Sequence, residues 1–389
     1  MISLDIFCDV IDNYGDAGVC LHLARNLSLQ DYSVRLFCNN LTVLNTLLNE
    51  QDLNNDHLTI ENWEQPLTTY QASQVVISAF NCRFDPVTTQ TLQQAQNKNG
   101  TIIINLEYLS AEDWVESCHG LTSFIDNLNV YYFFPGFTNK TGGLNVDRTF
   151  KDQCKLNLQK LKEQLLDPHS HRTFSLFGYH NPIIADLIDV CSHSACTNEM
   201  LVFEGLALEN LENITKLSFK QNETTKLNDR LSINVSPMVS HERYDEILLK
   251  SDFNLVRGED SIVRAMHTGH PFLWHIYPQD ENAHLTKLQS FLQRMEHICL
   301  NDIPQIIETC NLHHHSCPYL EIDKATISKA CQVIYQTMMD YNSQDHFATN
   351  FNLDEFEQLC KPIYYNFACY LCDQTDLSES LNQFIHTKL

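Results

Sequence analysis

Short apolar runs alternate with amphipathic stretches along most of this chain, and that alternation predicts a parallel α/β architecture. In the first half, residues 4–10, 33–38, 75–80, 101–106 and 130–137 are apolar or β-branched runs of strand length. Between them, 19–29 carries Val19, Leu23 and Leu27 near helical spacing, 41–48 reads as a second helix, and Pro86 opens a third to about residue 97. A second series begins after Pro168, with strands predicted at 173–179, 201–204, 231–235, 253–256 and 271–277. Its helices fall at 182–191, 244–250, 259–268 and 283–295, and the chain from there to Leu389 is helical by pattern. The β-α-β order predicts mostly parallel sheets. Gly142-Gly143 and the polar segment to Thr149, followed by a charged helix at 152–166, mark the boundary between two domains, 1–150 and 151–389.

Composition supports two packed interiors. The chain has 389 residues, too many for one ordinary core, and 43% of them are hydrophobic. Its 25 basic and 49 acidic side chains give a formal charge of −24, which repels phosphate backbones and favours a partner with a basic patch. Direct nucleic-acid binding is therefore not expected. Met1-Ile-Ser-Leu-Asp-Ile-Phe has no basic n-region or long apolar stretch, and no run of membrane-spanning length exists. The 15 cysteines, many inside apolar strands or helices, read as reduced thiols packed as small hydrophobes. Together these point to a cytoplasmic protein with no membrane partner.

Candidate chemistry lies in two polar turns about 245 residues apart. Asp12-Asn-Tyr-Gly-Asp16 stands between a strand and a helix. Its acids are either ordinary caps complementing a helix dipole or a carboxylate pair for one protic or cationic acceptor. Arg257-Gly-Glu-Asp-Ser261 also leaves a strand and enters a helix, with Tyr277 closing the next strand. Acids in a first helical turn are common, but free helix amides with the Ser261 hydroxyl and the Tyr277 phenol can hold a diphosphate without metal. Glu259 repels phosphate and suits sugar hydroxyls, while Phe177, Tyr179 and Met238 can pack on a base. Two Rossmann-like halves with no G-x-G-x-x-G suggest the GT-B glycosyltransferase fold, two domains facing across a cleft. The absence of any D-x-D favours a metal-free site with no cofactor. His313-His-His315 with Cys310 and Cys317, and Cys369-Tyr-Leu-Cys372, fit no standard metal or redox spacing in this context and read as loop and core.

Several longer strings are more specific. Val10-Ile-Asp-Asn-Tyr-Gly-Asp-Ala-Gly-Val19, Asn105-Leu-Glu-Tyr-Leu-Ser-Ala-Glu-Asp-Trp114, Phe133-Phe-Pro-Gly-Phe-Thr138 and Arg257-Gly-Glu-Asp-Ser261 through Trp274-His-Ile-Tyr-Pro-Gln-Asp280 occur in order. In these strings the chain resembles the protein-arginine rhamnosyltransferases that mature bacterial elongation factor P. The resemblance runs from residue 5 to about 295 and implies inverting transfer of L-rhamnose from dTDP-β-L-rhamnose to one arginine of that factor, activating it to relieve ribosome stalling at polyproline. It also implies that the functional acids are Asp12, Asp16 and Glu259. The resemblance implies donor contacts from Arg257, Asp260, Ser261 and Tyr277, to which the reading of the residues themselves adds Tyr179 and Glu259. Where the family reads Pro-Phe-x-Pro-Gln, this chain has Pro237-Met-Val-Ser-His241, so Met238 would replace the stacking aromatic and His241 the glutamine. The rival reading is a GT-B nucleotide-sugar enzyme, an epimerase or small-molecule glycosyltransferase, without a protein acceptor.

Overall fold

The structure, a computed structural model, describes residues 1–11, 14–165, 170–312, 318–348 and 351–389. Its contacts divide the chain into two compact units, Met1–Arg148 with Gln374–Leu389, and Thr149–Asp373. The first unit is built on strands β1 (Ile2–Cys8), β2 (Tyr32–Cys38), β3 (Leu58–Asn62), β4 (Val75–Ala79), β5 (Ile102–Leu106), β6 (Thr122–Ile125) and β7 (Leu128–Phe133). They lie in the order β3-β2-β1-β4-β5-β7-β6, parallel except for β6. The second unit holds β8 (His171–Leu176), β9 (Thr197–Phe203), β10 (Thr225–Lys226), β11 (Leu231–Ser236), β12 (Phe253–Arg257) and β13 (Phe272–His275), in the order β10-β11-β9-β8-β12-β13. Only β10 is antiparallel among these.

Strand composition explains the sheet positions. Val-Val-Ile-Ser-Ala of β4 and Ile-Ile-Ile-Asn-Leu of β5 are buried along their whole length, as central parallel strands covered on both faces must be. Helix signals act locally as well. Asp85 accepts from the N–H groups of Val87 and Thr88, Pro86 fills the first position, and Gly100 ends the helix Pro86–Asn99 at φ 70°. One charge sits inside the first sheet. Asp5 on β1 is fully buried, and its carboxylate accepts from Arg35 at 2.7 and 2.9 Å, Tyr70 at 2.6 Å and Ser73 at 2.8 and 3.0 Å. Those bonds tie β2 and the 70–73 segment to β1.

Three expectations need correction. The last helix, Leu377–His386, returns to the first unit instead of staying with residues 151–373: Leu377, Leu381 and Ile385 are buried in the core with Leu4, Ile6 and Tyr32. Gly142-Gly143 is therefore a packing point as well as part of the approach to the boundary. Gly143 stands at φ 78°, a Cβ there would lie 2.3 Å from the Thr375 carbonyl oxygen, and Leu377 N–H donates to the Leu144 carbonyl at 2.9 Å. The strand expected over 271–277 ends at His275. Beyond the pairing with β12, its free edge is taken up by side chains: Met338 sulfur accepts from Trp274 N–H at 3.0 Å, and Asn342 accepts from Ile276 N–H at 3.0 Å. Finally, β3, β6, β10 and the helix Leu206–Thr215 were not anticipated. β6 is exposed throughout, and the helix buries only Ala207, Asn210 and Leu211, so neither shows a strong apolar period.

Gly143→Ala should destabilise the chain by about 1–3 kcal/mol, through a left-handed backbone and a carbonyl clash. Denaturant unfolding checks it, and an unchanged midpoint would show that the tail helix does not depend on that approach.

Candidate functional site

In an open parallel sheet, ligands gather at the carboxyl ends of the strands where the strand order reverses. That point lies between β1 and β4 in the first unit and between β8 and β12 in the second. The residues following these four strands are therefore the ones to inspect.

Asp16 follows β1, in the first turn of the helix Tyr14–Ser28. It is only 2% exposed. One carboxylate oxygen accepts from Ile11 N–H at 2.8 Å, and the Tyr108 phenol approaches the other at 3.4 Å. The helix dipole favours an acid at this position. Asp12, its expected companion, lies outside the described residues.

The loop after β4 contributes a feature that sequence reasoning missed. Phe80 and Asn81 both adopt left-handed backbone, at φ 58° and 57°, a strained choice for a bulky residue that recurs at functional sites. Phe80 N–H donates to the Leu106 carbonyl at 2.7 Å, and Asn81 N–H donates to the Asn105 side chain at 2.9 Å. Asn105 in turn donates to Glu107 at 2.6 Å. So held, the Phe80 ring stacks on Tyr108 with centroids 4.2 Å apart and planes 10° apart. A flat aromatic pair whose Tyr108 phenol approaches the Asp16 carboxylate suits a planar cation. The only sequence signal was the string Asn105-Leu-Glu-Tyr108, quoted for its likeness and not for its chemistry.

In the second unit, β12 ends at Arg257, and Gly258, at φ 66°, opens the helix Gly258–Thr268. Arg257 is 8% exposed. Its guanidinium lies 4.5 Å from the ring centre of Phe177 and 4.6 Å from that of Tyr179, both following β8. Among the described residues no carboxylate forms an ion pair with it. A buried cation held by two ring faces beside a helix N-terminus is arranged to receive an anion, because an uncompensated charge there is costly. Tyr277 is 42% exposed and packs edge-on to Tyr179 at 5.7 Å, so its phenol is available beside the same turn. Glu259 is half-buried in the first helical turn.

Other expected donor residues sit differently. Asp260 accepts from Arg264 at 3.1 Å and lies 3.8 Å from His241, and Arg264 also pairs with Asp245. All four side chains are buried. Asp260 and His241 thus face one another within the protein, bracing the two helix starts at 241 and 258. Ser261 is buried beside the Tyr244 phenol, whose pKa burial raises. Met238 is half-buried, with its N–H donating to Glu204 at 2.9 Å, so the loop that carries it is anchored to the end of β9.

His275 ends β13, with its ring 5.1 Å from that of Tyr179. Burial first, and then the charge of Arg257, lower its pKa to about 4. The ring is neutral at pH 7, which leaves Arg257 as the cation of this turn. Residues 313–317, including the histidine run and Cys317, lie outside the described residues. Cys369 and Cys372 are buried, reduced thiols within the helix Leu353–Asp373. Among the described residues no helix is long and apolar enough to cross a membrane.

Comparison with known proteins shows the family and the fold. Residues 4–386 match the family described as elongation factor P (EF-P) rhamnosyltransferase EarP. A protein-arginine rhamnosyltransferase of Pseudomonas aeruginosa is 35% identical over 308 residues, covering 75% of this chain and 81% of that protein. One from Shewanella oneidensis is 36% identical over 334 residues, covering 78% and 83% respectively. A solved structure described as the structural basis for EarP-mediated arginine glycosylation of translation elongation factor EF-P shares the fold, with a TM-score of 0.61, 21% identity and full coverage of both chains.

The depressed His275 pKa carries a pH prediction. An unfolded histidine titrates near 6.5, so the folded state's preference for the neutral ring contributes fully above about pH 6.5. That contribution is lost as pH falls from there toward about 4. Stability should decline across this window, and His275→Gln should flatten that component. Parallel declines in both proteins, followed by urea unfolding, would refute the assignment.

Proposed function

The chain belongs to the EF-P rhamnosyltransferase (EarP) family and is a protein-arginine rhamnosyltransferase, and on that premise we propose that it moves L-rhamnose from dTDP-β-L-rhamnose to one arginine side chain of EF-P. Its two Rossmann-like units are those of the GT-B glycosyltransferase fold. In our reading the transfer inverts the anomeric centre, needs no metal or cofactor, takes place in the cytoplasm and fits EF-P to relieve stalling at polyproline. The strongest support is the presence in one chain of a buried carboxylate at one switch point and a buried, carboxylate-free guanidinium at the other.

A guanidinium has a pKa above about 12 and is a poor nucleophile while charged. The site must bind it through carboxylates and take its proton as the C–N bond forms. Asp16 is the proposed base. Its oxygens are oriented by Ile11 N–H and Tyr108, so it meets the incoming cation in a fixed geometry. The Phe80–Tyr108 stack gives the acceptor plane a surface, and Asp12 is the proposed orienting partner. On the donor side, Arg257, the amides opening the helix at Gly258, Ser261 and Tyr277 would stabilise the leaving diphosphate. Glu259 would accept from sugar hydroxyls, and Tyr179 and Met238 would flank the base. Asp260 and His241 act by holding the two helix starts in place, since each faces the other. The acidic surface would attract a basic acceptor loop.

The decisive experiment is intact-mass analysis of purified EF-P incubated with this enzyme and dTDP-rhamnose. A gain of one deoxyhexose, absent when the acceptor arginine is replaced by lysine, is the expected result. No gain, alongside glycosylation of a small molecule or epimerisation of the donor, would favour the rival reading. Asp16→Asn should lower turnover by about 10²–10⁴-fold with donor affinity nearly intact. A matching loss of donor binding would exclude it as the base. Glu259→Ala should weaken binding of dTDP-rhamnose relative to dTDP, and calorimetry showing equal losses for both would remove the sugar contact.

A further inference from the structure

We propose that Tyr244 is a positioning residue for the nucleotide-sugar donor: its hydroxyl donates to Ser261 once the donor's diphosphate has taken up the Ser261 proton as a hydrogen bond. This rests on the reading of Ser261 as a diphosphate contact. Tyr244 lies in the first turn of the helix His241–Lys250, which follows β11. Its ring packs edge-on to Phe203 at 5.4 Å and to Phe177 at 5.9 Å, and Phe177 is one of the two rings that hold Arg257. The side chain is 7% exposed, and its hydroxyl oxygen is buried with no hydrogen-bond partner among the described residues.

An unpaired buried hydroxyl is a cost that phenylalanine, with the same ring, would avoid. The neighbouring side chains show what this hydroxyl faces. His241, Tyr244 and Asp245 share one side of their helix, and Asp260, Ser261 and Arg264 lie on the facing side of the helix Gly258–Thr268. His241 lies 3.8 Å from Asp260, and Asp245 pairs with Arg264. These two contacts flank the phenol and hold it beside Ser261, which is close enough to act on its ionisation. Burial raises the phenol's pKa, so it stays a donor at any working pH.

A serine hydroxyl carries one donor and two acceptor positions. Diphosphate oxygens only accept, so a diphosphate at the opening of the helix Gly258–Thr268 takes the Ser261 O–H. The lone pairs left on Ser261 then suit a donor, and the buried phenol is one. The resulting chain from Tyr244 through Ser261 to the diphosphate is charge-assisted, and each bond polarises the next. Tyr244 thus gains its partner on donor binding and acts through Ser261, fixing the direction of a hydroxyl that would otherwise rotate.

Tyr244→Phe should weaken binding of dTDP and dTDP-rhamnose about five-fold in calorimetry, while thymidine, followed by ligand-observed NMR, binds as before. In a Ser261→Ala background, itself weaker for dTDP, the same replacement should cost nothing further. Without ligand, Tyr244→Phe should unfold at the urea concentration of the wild type or a higher one, since it removes an unpaired hydroxyl. A lower midpoint, or equal losses for thymidine and dTDP, would make the phenol a structural group and overturn the proposal. Full additivity of the two replacements would overturn it as well. If Ser261→Ala binds dTDP as tightly as the wild type, the diphosphate reading of Ser261 fails and the proposal with it. A loss with Ser261→Ala but none with Tyr244→Phe would sink the relay alone.

Discussion

Parallel strands cannot be joined by a tight turn, and the rest of this structure depends on that constraint. Each crossover carries the chain over one face of a sheet and returns it at the amino end of the next strand. The carboxyl ends are left with loops that lead into helices. Where the strand order reverses, two such loops diverge and leave room between them. This happens at β1 and β4 in one unit and at β8 and β12 in the other, and the distinctive polar groups of each unit lie there. Asp16, Phe80 and Tyr108 occupy the first point; Phe177, Tyr179 and Arg257 occupy the second.

Both switch points hold a buried charge, but they handle it differently from the rest of the protein. Asp5 is fully buried and saturated with donors from Arg35, Tyr70 and Ser73, and the Asp260–Arg264–Asp245 group is internally paired. Those charges are tied to partners on neighbouring elements of the fold. Arg257 has ring faces where an ion pair would ordinarily be, and Asp16 accepts from a backbone amide and is approached by a phenol. On the proposed reading, Arg257 meets an anionic donor and Asp16 a cationic acceptor. The loss of His275 protonation to burial serves the same end, leaving a single well-placed cation beside the helix N-terminus.

Much of the fold was legible in the sequence because the parallel sheets are buried on both faces. Runs such as Val75–Ala79 and Ile102–Leu106 are continuously apolar, and Pro86 and Gly100 punctuate the helix between them. The elements that were missed, β3, β6 and Leu206–Thr215, are short or largely exposed, and burial is what writes a period into a sequence. The tail helix was recognised as a helix but assigned to the wrong unit. Its amphipathic face shows that it packs, and says nothing of which core receives it.

By itself the sequence determined the order of elements, the parallel α/β class, the family, and the turns that hold Asp16 and Arg257. Local signals suffice for these, since strand periodicity, caps and unusual strings are properties of neighbouring residues. Only the tertiary structure decided which polar groups from distant parts of the chain come together. Asp260 and His241, from two separate motifs, face one another, and Phe80 and Tyr108, unremarkable in sequence, are brought together from separate strand ends. The reason is that pairing between groups far apart in the chain depends on strand order and crossover geometry, and it is pairing that separates a structural charge from one able to act on a substrate.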